Sequence, residues 1–362
     1  MPEAFAFLQR DVIKKDLCVT CGACAASCTV THIAIPNELP SPVGICVVCG
    51  VCYNVCPQLS FPSDEIEEFL FGRTRKEDEP IGIFRSGYIV RTTRDDVLKV
   101  AQDGGAVTSI LAHALEAEKI DCAVVTGFER ERPWKPKPVV ALSYDTLVEC
   151  AGAKYCTNPM LLGLASAVEE YEMRRVALVG TPCQIRGARK MQTSANPKRP
   201  MRLADSIKLT IGLFCEEAYE YDKFNEFMRQ RGVRLSKVDH TAIKGGMFRA
   251  FSNKRLLLEV PVKEIKSLAS PSCQLCTDYT AEFADLSVGG VGVPGEWSMV
   301  LARTERGERA LLEAERGGYV ELSPIEEIKP GLNLVMRIAR RKAQQARNKL
   351  EEQKSDQSLN RL

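Results

Sequence analysis

Eight of the fifteen cysteines in this 362-residue chain repeat one spacing twice: Cys18, Cys21, Cys24 and Cys28, then Cys46, Cys49, Cys52 and Cys56. A C-x2-C-x2-C loop wraps three thiolates around one face of a cubane, and a more distant cysteine closes the fourth corner; in the bacterial pattern that fourth thiolate serves the other cluster. The spacing therefore predicts one [4Fe-4S] cluster on Cys18, Cys21, Cys24 and Cys56, and a second on Cys46, Cys49, Cys52 and Cys28. The chemistry would be one-electron transfer. Pro57 follows Cys56 as the pattern expects, whereas Thr29 follows Cys28. Zinc competes, since C-x2-C pairs also build tetrahedral sites, but two tandem four-cysteine runs favour iron-sulfur. A disulfide scaffold fits worse, because the chain is long, ordinary in composition and lacks a signal-peptide pattern at its N-terminus.

Four more cysteines follow apolar runs or sit in a loop: Cys183 in Gly180-Thr181-Pro182-Cys183-Gln184, Cys215 in Phe214-Cys215-Glu216, and the pair Cys273 and Cys276. Four thiols make a complete cluster set, and Cys183 and Cys215 each follow a strand, at the edge where α/β proteins gather their sites. Buried single cysteines are the competing reading. Cys122, Cys150 and Cys156 have no such setting and read as structural thiols. The run Gln102-Asp103-Gly104-Gly105-Ala106-Val107-Thr108 opens a helix behind a glycine pair, where backbone N–H groups can approach an anion; it reads equally as a plain N-terminal turn. None of the three histidines falls in a metal or catalytic constellation, and His113 reads as packing.

The elements that must hold these groups follow from periodicity. A helix over 1–16 packs on the cysteine runs, and a charged helix and linker follow over 63–84. Short β-branched runs at 88–92, 122–128, 139–144, 176–180 and 208–214 alternate with helical stretches at 106–118 and 159–173, which predicts an α/β domain. Strands then come closer together, at 238–243, 255–260, 286–288 and 297–302, before a helix at 304–315, so this half has an α+β character. The last stretch, 335–362, reads as a charged, solvated helix fraying into a polar tail, with a docking arm as the alternative. The predicted division is 1–62, 63–84, 85–330 and 331–362.

With 45% hydrophobic and 27% charged residues the chain can bury sizeable cores. A net charge of +2 gives no global case for nucleic acid or a membrane surface. No apolar run approaches the roughly 18 residues that a membrane span needs. Fifteen cysteines without a secretory signal imply a reducing compartment. The expectation is a cytoplasmic protein, peripheral to a membrane only through a partner.

Several motifs, in fixed order over about 85–318, resemble the family of beta subunits of coenzyme F420-reducing hydrogenase. They are Ser86-Gly87-Tyr88, Asp103 to Thr108, Gly152-Ala153-Lys154-Tyr155, Gly180 to Gln184, Phe214-Cys215-Glu216, Cys273-Gln274-Leu275-Cys276-Thr277-Asp278-Tyr279 and Ala284-Asp285-Leu286-Ser287-Val288-Gly289. The two cysteine runs are those of a bacterial-type two-cluster ferredoxin domain, which makes the layout similar to the electron-input subunits of F420H2 dehydrogenase complexes and to the N-terminal half of F420-dependent sulfite reductases. The chain departs from the family at Lys244-Gly245-Gly246-Met247-Phe248 and at Gly290, usually acidic.

The resemblance implies an FAD domain with its own [4Fe-4S] cluster on Cys183, Cys215, Cys273 and Cys276, which with the ferredoxin pair makes three clusters. It implies FAD along Asp103, Gly104, Gly105, Ala106, Val107, Thr108, Lys154 and Tyr155. Coenzyme F420 would be the substrate, its anionic tail met by cations such as Lys154, Lys244, Arg249, Lys254 and Arg255. Hydride would pass between F420 and FAD with no protein nucleophile or acid-base pair, and single electrons would leave through the clusters. The partner would be a larger complex of membrane-bound dehydrogenase, heterodisulfide reductase or hydrogenase type. Two other readings stay open: a flavin and iron-sulfur reductase of the same family acting on another substrate, and an electron-transfer module with no substrate site.

Overall fold

The computed structural model describes residues 4–193 and 199–359. Its N-terminal block holds the two cysteine runs. Helix α1 (Phe5–Asp11) gives way to a 3-10 turn at Ile13–Lys15, so the helix anticipated over 1–16 is shorter, and residues 1–3 lie outside the described ones. Each cysteine run then coils into one short helical turn, α2 (Ala23–Ala26) and α3 (Val51–Asn54), with the two-residue strands β1 (Ile33–Ala34) and β2 (Ser41–Pro42) between them. Helix α4 (Ser63–Phe71) follows.

The rest is built on one eight-stranded mixed sheet. Its strands in chain order are β3 (Ser86–Thr92), β4 (Cys122–Phe128), β5 (Pro136–Ala141), β6 (Val176–Gly180), β7 (Ile207–Leu213), β11 (Leu286–Gly289), β12 (Ser298–Ala302) and β13 (Val320–Pro324). Their spatial order is β13-β3-β12-β11-β7-β6-β4-β5. The pairs β11–β7, β7–β6 and β6–β4 are parallel, and the outer pairs are antiparallel. Burial on both faces explains why β6, Val-Ala-Leu-Val-Gly, is an unbroken apolar run.

Between β7 and β11 a separate three-stranded sheet is formed by β8 (His240–Lys244), β9 (Met247–Ser252) and β10 (Arg255–Pro261). Sequence periodicity misses β9, because it reads Gly245-Gly246 as a motif and not as a hairpin turn. Both glycines have positive φ, 61° and 75°, as a two-residue hairpin demands. Strand β13 was also unanticipated. With β11 and β12 it returns to the first strand, β3, so the α+β half closes the same sheet and does not form a second unit.

Helices cover both faces: α5 (Asp95–Val100), α6 (Ala106–Glu116), α7 (Tyr144–Glu149), α8 (Met160–Glu169), α9 (Pro182–Gln192), α10 (Arg199–Asp205), α11 (Tyr221–Gln230), α12 (Val262–Ile265), α13 (Glu305–Arg316) and α14 (Gly331–Leu359). Thr181 and Gln184 cap α9 reciprocally, with Pro182 in its first turn.

Two expectations change in the packing. The stretch anticipated as a linker is stitched down: Arg75 pairs with Glu67 and Glu282, and buried Arg303 donates to the carbonyls of Ile81 and Ile83 at 2.9 and 2.8 Å. Helix α14, anticipated as solvated, buries Val335, Ala339, Lys342 and Ala346 at a spacing of three to four residues. Residues 360–362 lie outside the described ones. Among the described residues no helix is long and apolar enough to cross a membrane.

Candidate functional site

Strands β4, β6, β7 and β11 end at one edge of the sheet, and there a cavity of about 910 Å³ opens, lined by Thr126, Gly180, Leu213 and Gly289 from those ends. In open α/β sheets this edge is where ligands sit.

One wall is the turn into α6. Gly104 packs so tightly on the sheet that an added Cβ would lie 2.3 Å from the Val90 carbonyl oxygen and 2.6 Å from the Ser298 nitrogen. Gly105 caps α6 with φ of 70°, a left-handed conformation that a side chain resists. Asp103, Gly105, Ala106, Val107 and Thr108 line the cavity, while Gly104 supports them from behind. The Asp103 carboxylate lies 3.4 Å from the Lys244 ammonium and presses on Gly290, where an added Cβ would come within 2.1 Å of it. Burial pushes the Asp103 carboxyl up, and Lys244 works against that shift.

The 152–155 loop forms the next wall. Lys154 donates to the carbonyls of Ala151 at 2.6 Å and Gly152 at 3.0 Å, and also to that of Cys150. Three backbone oxygens thus hold the ammonium that was expected to meet an anionic ligand. Burial lowers the Lys154 pKa to about 8. The Tyr155 hydroxyl accepts from the Ile243 N–H at 3.2 Å, tying this loop to β8.

The far wall carries four thiols. Cys183 lies in the first turn of α9, Cys215 just past β7, and Cys273 and Cys276 on and after the 3-10 turn Pro271–Leu275. All four line the cavity. Burial pushes Cys183 up to about 12, and proximity to Cys276 and Cys273 adds to it. Burial likewise raises Cys215, against the pull of Lys342. The Ala218 N–H points at the Cys273 Sγ at 3.5 Å.

The N-terminal runs form two small cavities of about 20 Å³ each. Cys18, Cys21, Cys24 and Cys56 line one; Cys28, Cys46, Cys49 and Cys52 line the other. The first lies against the large site: the Ser272 hydroxyl donates to the Cys18 carbonyl at 3.1 Å, and Val19 and Gln58 line both cavities. Among the described residues no group of three or more His, Cys, Asp or Glu side chains is arranged to hold a metal ion as the thiols stand. The fit to a cluster rests on donor chemistry, four free thiols facing each of three sites.

Several lining groups were not among the expected site residues. Gln102 Oε1, Asn158 Oδ1 and Arg186 Nε are buried at the cavity without a hydrogen-bond partner among the described residues, which suits a polar ligand. Lys342 on α14 donates to the carbonyls of Cys215 at 2.6 Å and Asp278 at 2.9 Å.

Residues 88–165 match the family described as coenzyme F420 hydrogenase/dehydrogenase, beta subunit N-term, and residues 173–328 match the C terminus of the same beta subunit. The chain belongs to the family of coenzyme F420 hydrogenase/dehydrogenase beta subunits. It is 38% identical over 267 residues to the coenzyme F420 hydrogenase subunit beta of Methanothermobacter thermautotrophicus, covering 74% of this chain and 94% of that one. It is 31% identical over 346 residues to a component of the F(420)H(2) dehydrogenase of Methanosarcina mazei, covering 91% and 90%. The coenzyme F420-dependent sulfite reductase of Methanocaldococcus jannaschii is 31% identical over 332 residues, with 88% of this chain and 49% of that one covered. Among solved structures, a chain of the F420-reducing [NiFe] hydrogenase complex from Methanosarcina barkeri superimposes with a TM-score of 0.72 at 33% identity, covering 78% of this chain and 96% of that one. Both cysteine runs of this F420 hydrogenase/dehydrogenase homologue precede the residues that the family matches.

Proposed function

We propose that the chain is an iron-sulfur flavoprotein that exchanges hydride between coenzyme F420 and FAD and passes single electrons through three [4Fe-4S] clusters to a larger complex. The observation that carries this reading is the shared cavity, which the turn into α6 (Asp103 and Gly105 to Thr108) and four free thiols line together at the carboxyl ends of the parallel strands. When bound, FAD supplies the hydride chemistry and the cubanes the one-electron transfer.

In this reading residues 1–62 are the ferredoxin domain, 85–330 the flavin domain and 331–362 a helical extension. Asp103 to Thr108 and the 152–155 loop hold FAD through backbone groups; Lys244, paired with Asp103 at the mouth, is the cation available to an anionic substrate. Cys183, Cys215, Cys273 and Cys276 hold the flavin-side cluster; Cys18, Cys21, Cys24 and Cys56 hold the next; Cys46, Cys49, Cys52 and Cys28 hold the last. Val19 and Gln58, which line both the Cys18 cavity and the large one, support that order. Cys49 is exposed, and Val43, Ile45 (87% exposed), Val47 and Val48 surround its loop with apolar surface, which suits an outlet to a partner complex. The compartment would be the cytoplasm, peripheral to a membrane if the partner is membrane-bound.

Anaerobic purification with iron, sulfide and flavin counting tests the reading: about twelve irons and one FAD per chain are expected. F420H2 should bleach the bound flavin. Bleaching by NADH and not by F420H2 would transfer the site to another substrate, and iron without flavin would leave only an electron-transfer module.

A further inference from the structure

Helix α14 brings one cation to the wall of thiols. Lys342 is 6% exposed, and its ammonium donates to the carbonyls of Cys215 at 2.6 Å and Asp278 at 2.9 Å, so it clasps the two segments that carry three of the four cysteines. Among the described residues no carboxylate lies within ion-pair distance of it. Glu216 is engaged by Arg341 at 2.6 Å, Glu217 faces the Tyr219 hydroxyl at 3.4 Å, and the Asp278 carboxylate accepts from the Glu282 N–H at 3.2 Å. A buried ammonium with carbonyl partners alone is expensive, because two dipoles do not replace lost hydration. Lys342 lines the same cavity as the four thiols, and of the carboxylates that of Asp278 shares its neighbourhood.

We propose that Lys342 is the counter-charge of the flavin-side cluster, a positioning residue that sets the cluster's reduction potential. This rests on the reading that Cys183, Cys215, Cys273 and Cys276 hold a [4Fe-4S] cluster. One electron, leaving the bound flavin, enters that cluster and takes the thiolate-bound cubane from a net charge of two minus to three minus; no bond forms or breaks, and no proton moves. A fixed cation beside the thiolates favours the more negative state and so raises the potential. The N-terminal quartets have cations of their own, Lys190 on the Cys56 carbonyl at 2.7 Å and Arg199 on the Cys28 carbonyl, and a change at Lys342 leaves both in place.

The test compares the unmodified protein with K342M, K342Q and K342R in EPR-monitored redox titrations, with iron and sulfide counted beforehand. In K342M the flavin-side midpoint should move to more negative potential while the other two midpoints stay; K342R, which keeps charge and donors, should stay near the original value. If K342M assembles without the cluster, K342Q, which keeps donors but no charge, carries the measurement and should show the same negative shift. An unchanged midpoint in the uncharged variants, a shift in K342R as large as theirs, or loss of the cluster in K342R as well as K342Q would overturn the proposal. Eight irons in the unmodified protein would instead remove the underlying cluster reading.

Discussion

Cys273, which lines the cavity, and Gly104, which supports the turn into α6 behind its lining, separate the two expected tasks. Replacing Cys273 with alanine removes one of four thiolates; iron should fall from about twelve toward about eight per chain while flavin is retained, because the N-terminal quartets share none of its ligands. Stopped-flow spectra should show fast flavin bleaching by F420H2 without bleaching of the other clusters. Both signals at full speed would make Cys273 a structural thiol. Gly104→Ala acts on that turn. Its Cβ would meet backbone atoms 2.3 and 2.6 Å away, which cannot swing aside as a side chain could. The turn into α6 must shift, at a cost of about 1–3 kcal/mol. The expected outcome is a lower melting temperature and weakened flavin retention at unchanged iron content. Full flavin occupancy would mean that this turn does not cradle the cofactor.

At the scale of elements, β7, α9 and α13 are joined by a buried charge cluster. Arg189 and Asp285 are 1% and 0% exposed and 3.5 Å apart, and Asp285 also accepts from the Thr210 N–H at 2.8 Å and from Arg306 at 2.9 Å. Although burial opposes ionisation, Arg189 and Arg306 hold the Asp285 carboxyl below its ordinary value. The isosteric change Asp285→Asn keeps the shape but strands the Arg189 charge, and should cost about 3–5 kcal/mol in chemical denaturation. Arg306 is half-exposed, and Arg306→Ala should cost under about 1 kcal/mol. Equal losses from the two would refute the ranking by burial. Helix α14 belongs to this scale too, since its amphipathic face had nothing to show, in one dimension, that the thiol wall was waiting for it.

For the whole molecule the decisive feature is that the cysteine block and the large sheet share a core. Cys21, Ala23, Ala26, Val51 and Val55 pack in one cluster with Met160, Leu161, Leu164, Ala188 and Met191 from α8 and α9. Polar ties run beside it: the Leu161 N–H donates to the Cys21 carbonyl at 3.0 Å, Lys190 to the Cys56 carbonyl at 2.7 Å, and the Tyr221 N–H to the Glu38 carboxylate at 3.2 Å. Deleting 1–62 would expose the apolar faces of α8 and α9, so truncation would confound electron transfer with misfolding. Calorimetry of the anaerobic protein should show one cooperative transition. A separate transition for the N-terminal block would show that its contacts are too weak to couple the two.

The sequence by itself determined which residues hold thiols in cluster spacing, where most of the strands run, and that Asp103-Gly104-Gly105 opens a helix, because spacing and periodicity are local properties. The order of the sheet, the return of β11, β12 and β13 to β3, and the hairpin at Gly245-Gly246 came from pairing between segments far apart in the chain. Lys154 and Lys342 make the same point with one residue type. Lys154 is expected beside the ligand and Lys342 on a solvated helix, yet the first is closed off by the carbonyls of its own loop while the second is carried by α14 into a wall of thiols more than sixty residues away in sequence. What a buried charge faces is decided by tertiary packing, since only the folded chain brings together the groups that must replace its water.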